Sequence, residues 1–355
     1  MLVTPLSLTP HKAPTSKRWR AISSISYVPA LPTPYLTSLL ARADKVVYRR
    51  TTARPRFSPC GRIAGAAPRA MSTGGRVAPT LHALYRSQRL RASRDLLTRI
   101  PKLPSAVPHI IDVGCGVGDA TKTLIEKFPS CKLLLLDTSE ERLEAAKEDE
   151  VLSSRTNLSF TCEDVNDHFA PEKAATGAHY DLIFSNAALH WSDNVPTLLS
   201  NLLNRVRPGG SLALQIPDMG EQPTHSLFVE TAVEMHLSLD SIRFPTNTAD
   251  PSKYAETLLD KRCEVLDMWS TTYVHCLEGE DAVFNFIRTT YDGRTALPSS
   301  LGGEGEEAAK EFEDAYRQKI ARAYPPSANG TTLFPFTRFF LVATRPDILS
   351  AFMRR

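Results

Sequence analysis

Apolar residues along the chain switch between two spacings. From Leu84 to Ile100 they recur at helical intervals (Leu84, Tyr85, Leu90, Leu96, Leu97, Ile100), and Pro101 and Pro104 end the run. Short continuous apolar runs then alternate with amphipathic stretches. His109–Val113 reads as a buried strand, followed by a glycine turn and a helix with Leu124, Ile125 and Phe128 on one face. Lys132–Leu136 predicts a second strand and Glu140–Glu148 a second helix. Leu158–Cys162 and Tyr180–Ser185 predict a third and a fourth strand. A helix at Val195–Val206 leads into a Pro208-Gly209-Gly210 turn and a fifth strand, Ser211–Ile216. Strand and helix alternating at this spacing predict a doubly wound α/β fold.

Past Pro217 the pattern changes. Helical stretches near Ser226–Leu239 and Tyr254–Leu259 precede a β-rich run, Glu264–Val274. Two further helices, Asp281–Arg288 and Glu306–Tyr324, flank the Gly/Pro/Ser-rich Gly293–Gly305, and Thr331–Ala343 reads as a final strand. The expected architecture is a seven-stranded, Rossmann-like sheet whose late connections enlarge into a helical C-terminal cap. Residues 81–217 form its cofactor-binding core, and 218–355 supply the substrate cap and last strands.

Charge separates the leading segment from the rest. Residues 1–70 hold nine prolines, twelve Lys or Arg and one acid, Asp44. Such a stretch cannot bury a core. Disorder of an extension spanning 1–80 is the first expectation. An organelle-targeting peptide and translation starting at Met71 are the alternatives. The remaining 285 residues carry 30 basic and 38 acidic side chains, a net of −8, which argues against a nucleic-acid partner for the folded part. No apolar run reaches the roughly 18 residues needed to span a bilayer. The expected location is cytoplasmic, or the mitochondrial matrix if residues 1–70 are a targeting segment, and the expected state is a monomer. The six cysteines (Cys60, Cys115, Cys131, Cys162, Cys263, Cys276) form no CxxC pair and no zinc-site spacing. They read as reduced, buried thiols, and no metal is expected.

Asp112-Val-Gly114-Cys-Gly116-Val-Gly118 closes the first strand and opens a helix. Glycines there let backbone approach a ligand in the crevice where doubly wound sheets bind. The spacing is G-x-G-x-G, and Asp119 stands where a dinucleotide fingerprint has its third glycine, an acid that repels a pyrophosphate. S-adenosylmethionine has no phosphate, and its amino-acid end suits Asp112 and the glycine amides. Asp137, nineteen residues past Gly118, ends the second strand where an acid accepts from ribose hydroxyls. Asp164 ends the third strand and suits the adenine amino group; Asn186 ends the fourth, beside the methyl-transfer point. A nicotinamide oxidoreductase, disfavoured by Asp119, and a purely structural turn are the competing readings.

These residues resemble class I methyltransferases. Narrower segments are similar to the trans-aconitate methyltransferases: Asn186-Ala-Ala-Leu-His-Trp191, Gln215-Ile-Pro-Asp218, Glu221-Gln-Pro-Thr-His225 running to Glu230-Thr-Ala232, Cys263-Glu-Val, Trp269-Ser-Thr-Thr-Tyr273, and Phe334-Pro-Phe-Thr-Arg-Phe-Phe340. The likeness extends from about Leu84 to Arg345. It departs in lacking an aromatic residue and Asn/Asp-Pro before Leu84, and in an insertion at Gly302–Gly305. The resemblance implies methyl transfer from S-adenosylmethionine to one carboxylate of trans-aconitate, giving a monomethyl ester.

A carboxylate with a pKa near 4 is already ionised at neutral pH, so its methylation needs no strong general base. The other carboxylates need bidentate anchors, for which Arg89, Arg91, Arg294 and Arg338 are the candidates. His190 and Trp191 follow the fourth strand and are expected to line the reacting carboxylate. His225 is expected either to hydrogen-bond a substrate oxygen or to cap a helix. The alternatives are a methyltransferase for another acidic substrate, of the malonyl-carrier-protein type, and a non-catalytic S-adenosylmethionine-binding module.

Overall fold

The computed structural model describes residues 84–174, 177, 179–192, 194–218, 220, 222–237, 250–263, 265–291 and 305–347. The leading extension, Arg294 and residues 293–304 lie outside the described residues.

Alternation along each strand explains why the sheet is covered on both faces. In β1 (His109–Val113), Ile110 packs into one apolar layer and Ile111 into the other, and both are fully buried. In β4 (Tyr180–Asn186), Leu182 and Phe184 face the first layer and Ile183 the second. Continuous apolar runs of this kind are what a doubly covered parallel sheet requires. With β2 (Lys132–Asp137), β3 (Leu158–Cys162), β5 (Val206–Pro217), β6 (Val265–Leu277) and β7 (Thr332–Thr344), the described residues form a sheet ordered β3-β2-β1-β4-β5-β7-β6. The first five strands pair in parallel, and β7 runs antiparallel to both β5 and β6. The seven-stranded Rossmann-like sheet is the fold expected.

The first layer holds α1 (Arg86–Thr98), α2 (Asp119–Lys127) and α3 (Glu140–Glu148), which contribute Leu96, Leu97, Leu124, Ile125 and Leu143. A short helix, α4 (Glu150–Ser153), follows α3, and another, α5 (Val165–His168), follows β3. The second layer is built by α6 (Val195–Asn204), through Leu198, Leu199, Leu202 and Leu203. A later helix (Pro251–Asp260, α8) adds Tyr254 and Leu258 to it. A third cluster joins α7 (Pro223–Glu234), α9 (Ala282–Tyr291) and α10 (Gly305–Ala323). There Phe228, Phe286, Phe312 and Tyr316 surround Phe334 and Phe336 at the start of β7. Phe334, Phe336, Phe339 and Phe340 of β7 are all buried and belong to the core.

The structure differs from the expectation at several boundaries. The Pro208-Gly209-Gly210 turn is absorbed into β5, which begins at Val206. The Gly209 amide donates to Arg345 O at 3.0 Å and the Arg345 amide to Gly210 O at 2.9 Å, so the far end of β7 continues the ladder there. Likewise β6 runs on to Leu277, because β7 supplies a partner as far as Thr332. Not every thiol is buried: Cys162 and Cys276 are exposed. Each sits on an edge strand of the sheet, β3 or β6. Among the described residues no helix is long and apolar enough to cross a membrane.

Leu182 is completely buried on a central strand, whereas Leu259 is 60% exposed on α8. Leu182→Ala is expected to lower unfolding free energy by about 2–5 kcal/mol, and Leu259→Ala by no more than about 0.5 kcal/mol. Urea titration of both variants checks the contrast.

Candidate active site

The glycine turn lies where β1, β2 and β4 end. Gly114, Gly116 and Gly118 all adopt positive φ (73°, 58° and 83°), which an L side chain rarely does. The Gly114 amide donates to Leu136 O at 2.7 Å, tying the turn to β2. A Cβ at Gly114 would overlap the Ala188 side chain, and one at Gly118 would overlap Leu152. Gly116 is different: a Cβ there meets nothing within 4 Å, so its backbone faces open space.

Asp137 is only 5% exposed at the end of β2. Its Oδ2 accepts from the Gly116 amide at 2.9 Å and its Oδ1 from the Ser139 amide at 3.0 Å. One carboxylate thus holds the glycine turn and the start of α3 together. Asp112 lies beneath the turn, 1% exposed, and accepts from the Thr121 hydroxyl at 2.7 Å. Burial pushes its pKa up to about 7, with Thr121 opposing and the Asp137 charge adding to the rise. Asp164 is exposed and caps α5 through the Asn166 amide at 2.8 Å.

Beside the turn is a cavity of about 210 Å³. Gly114, Cys115, Gly116 and Val117 form one wall, and Asn186, Ala187, His190 and Trp191 another. Pro217, His225, Phe336 and Arg338 close the side toward the cap, and Arg89 enters from α1. Eight of the expected site residues therefore meet in one cavity: Gly114, Gly116, Arg89, Asn186, His190, Trp191, His225 and Arg338. Asp112, Gly118, Asp137 and Asp164 support or flank it without lining it. Arg91 points elsewhere, its guanidinium 4.9 Å from the centroid of the Tyr273 ring. Residues two apart on a helix do not share a face, so Arg89 and Arg91 cannot both serve one cavity.

Three lining charges were not anticipated as site residues. Arg86 on α1 pairs with Asp119, whose carboxylate also stands 3.5 Å from Lys122. The acid that argues against a pyrophosphate is thus engaged by cations at the cavity rim. Arg142 lines the cavity from the first turn of α3, three residues past the Ser139 cap. Its place just after Asp137 was the available signal. Ala187, also in the wall, holds a strained φ of 58° for a residue with a side chain. Its amide donates to Gln215 O at 2.8 Å.

Residues 111–212 match the family described as Methyltransferase domain. A trans-aconitate 2-methyltransferase of Streptomyces coelicolor is 35% identical over 274 residues, covering 76% of this chain and 86% of that protein. Another, of Methylobacterium nodulans, is 35% identical over 264 residues, covering 74% of this chain and 95% of its own. The chain belongs to the trans-aconitate methyltransferase family. Among solved structures, the YcgJ protein of Bacillus subtilis covers 72% of this chain and 99% of its own, with 13% identity and a TM-score of 0.47.

Two side chains set the electrostatics of this methyltransferase's cavity. His225 is buried in the first turn of α7, its Nδ1 3.1 Å from the Thr224 hydroxyl. It does not cap the helix, and burial pushes its pKa down to about 4, so the imidazole is neutral at pH 7. Arg338 is 4% exposed, with its guanidinium 4.2 Å from the centroid of the Phe336 ring. Burial, with Tyr273 opposing and the Arg89 charge adding, pushes its pKa down to about 9, which still leaves it charged at pH 7. No ion pair or hydrogen bond holds Arg338 among the described residues.

The folded chain keeps the Asp112 proton over a pH range where the unfolded chain has released it. Stability from this group therefore falls as pH rises from about 4 to about 7. Relative to wild type, Asp112→Asn is expected to remove a loss of up to about 4 kcal/mol across that window. Urea unfolding at pH 4 and pH 8 for both proteins measures it.

Proposed function

We propose that this chain transfers the methyl group of S-adenosylmethionine to one carboxylate of trans-aconitate, or a close tricarboxylate, giving a monomethyl ester. The observation that carries the reading is Arg338: a buried guanidinium without an acidic partner among the described residues, in a cavity bounded by the glycine turn. Burying a charge is unfavourable unless something pairs with it, and a substrate carboxylate is the partner of matching geometry.

S-adenosylmethionine supplies an electrophilic methyl carbon on a sulfonium. The residues around the turn fit its polar atoms. Gly114, Gly116 and Gly118 would present backbone to it, Asp112 would hold the α-ammonium, and Asp137 would take the ribose hydroxyls. Asp164 would serve the adenine amino group, and Asn186, whose Oδ1 is buried without a partner among the described residues, would serve the methyl-transfer point.

Arg338 and Arg89 grip carboxylates remote from the reacting one. Arg89 also donates to the Thr289 hydroxyl at 3.2 Å, which steadies its side chain. Neutral His225 contributes a hydrogen bond without adding charge. Arg91 drops out of the substrate set, since it stacks on Tyr273. His190 and Trp191 wall the reacting oxygen and exclude water. Attack of an anion on a sulfonium disperses charge, so a dry cavity that aligns the two favours the transition state. An ionised carboxylate needs no base, and none is assigned.

Purified protein with methyl-labelled S-adenosylmethionine and a panel of di- and tricarboxylates is expected to form a base-labile methyl ester on trans-aconitate. No ester on any panel member refutes the substrate assignment. Arg338→Met should raise KM for trans-aconitate at least about thirtyfold, as loss of a buried charge partner does. It should also raise the Tm of the ligand-free protein, because an unpaired buried cation is removed. Parallel kinetics and thermal melts test both halves.

A further inference from the structure

Gln215 has no part in the chemistry above, yet its carboxamide is left without any match in the fold. The residue is 0% exposed, and among the described residues neither its Oε1 nor its Nε2 has a hydrogen-bond partner. Folded chains rarely leave both ends of a buried amide unsatisfied, and an apolar side chain of similar size would avoid the penalty.

The strand register shows what surrounds it. Gln215 pairs with Asn186 on β4 and with Phe340 on β7, while Arg338 pairs with Pro217, two residues along. Side chains paired directly across strands share a face, and diagonal neighbours lie within reach of long side chains. Phe340 belongs to the apolar layer that contains α1, so Gln215 faces that layer too. Asn186, Gln215 and Arg338 therefore form one polar row across three adjoining strands, and its two outer members line the cavity. Each has unused capacity: Asn186 Oδ1 is partnerless, both polar ends of Gln215 are, and Arg338 makes no hydrogen bond among the described residues. The main chain of Gln215 is already committed, its carbonyl accepting the Ala187 amide.

We propose that Gln215 is a positioning residue that couples the substrate anchor to the methyl-transfer point, an inference that rests on the tricarboxylate reading. With substrate bound, Gln215 Oε1 accepts from one N–H of Arg338, and Gln215 Nε2 donates to Asn186 Oδ1. These two bonds satisfy all three side chains together. The remaining guanidinium N–H groups stay available for substrate carboxylates, and Asn186 Nδ2 stays available at the reacting centre. The chemistry calls for an amide at this position. A carboxylate would neutralise Arg338 and compete with the substrate, whereas an aliphatic side chain would leave Asn186 Oδ1 unsatisfied.

Gln215→Met and Gln215→Glu, compared with wild type, test the coupling through kinetics on trans-aconitate, calorimetry with S-adenosylmethionine and thermal melts. Gln215→Met should lower kcat about tenfold, in keeping with a misaligned acceptor, leave donor Kd near wild type, and raise the Tm of the ligand-free protein because an unsatisfied buried amide is removed. Gln215→Glu should raise KM for trans-aconitate about tenfold or more, with donor Kd unchanged. A side chain that only fills space predicts the opposite pattern: Gln215→Met turning over like wild type, and Gln215→Glu losing Tm and donor affinity together. That result overturns the proposal. If Gln215→Glu shows no cooperative melt, the kcat of Gln215→Met decides alone. Wild type that methylates no tricarboxylate would instead refute the substrate reading, so the two failures are distinct.

Discussion

A buried guanidinium with no counter-ion among the described residues is the constraint around which this molecule is arranged. Taking an ion out of water costs several kcal/mol even after the surroundings relax. Arg338 bears that cost on a strand flanked by two others, over the ring of Phe336 and near a second positive charge on Arg89. Such an arrangement is unfavourable as architecture and makes sense as recognition. The helical cap has a related function. Its aromatic cluster around Phe286, Phe312 and Phe334 continues to Phe336, so the surface beneath the cation is apolar and dry.

The opposite wall follows a different logic. There the backbone, rather than a side chain, is exposed. Asp137 holds the Gly116 amide, Leu136 O holds the Gly114 amide, and Ala188 approaches Gly114 so closely that no Cβ fits. The strained Ala187 is fixed from below by Gln215. Both walls are thus anchored to neighbouring strand ends, and the parallel register of β1, β2, β4 and β5 sets their separation. Asp112 lies under this wall as a buried acid whose charge depends on pH.

Much of this was legible in the chain before any coordinates. Continuous apolar runs marked β1 to β4 to within a residue, because buried parallel strands leave few other readings. The glycine turn and the polar residues at four strand ends pointed to the site for the same local reason. Legibility failed where tertiary pairing overrides local chemistry. Pro208-Gly209-Gly210 reads as a turn, but the distant Arg345 supplies ladder bonds that keep it in β5. Arg89 and Arg91 looked equivalent in composition, and only helix phase separates one in the cavity from one stacked on Tyr273. Arg86 at the rim depends on its pairing with Asp119, 33 positions along the chain, which no short-range pattern encodes. Gln215 stood only within a segment similar to the family, and its neighbours emerge only from strand register.

The order of strands in the chain adds a temporal dimension. The glycine turn, Asp137 and Asn186 all belong to β1–β4 and their loops, whereas Arg338 belongs to β7, which is last in sequence and inserts between β5 and β6. During synthesis the nucleotide-like half of the pocket emerges first, and chains fold largely as their segments appear. Until β7 inserts, β5 and β6 lack their shared neighbour and the cavity lacks Phe336 and Arg338. A nascent chain thus carries the glycine-turn wall of the cavity before the wall that bears Arg338. Closure of the sheet is the step that completes the cavity.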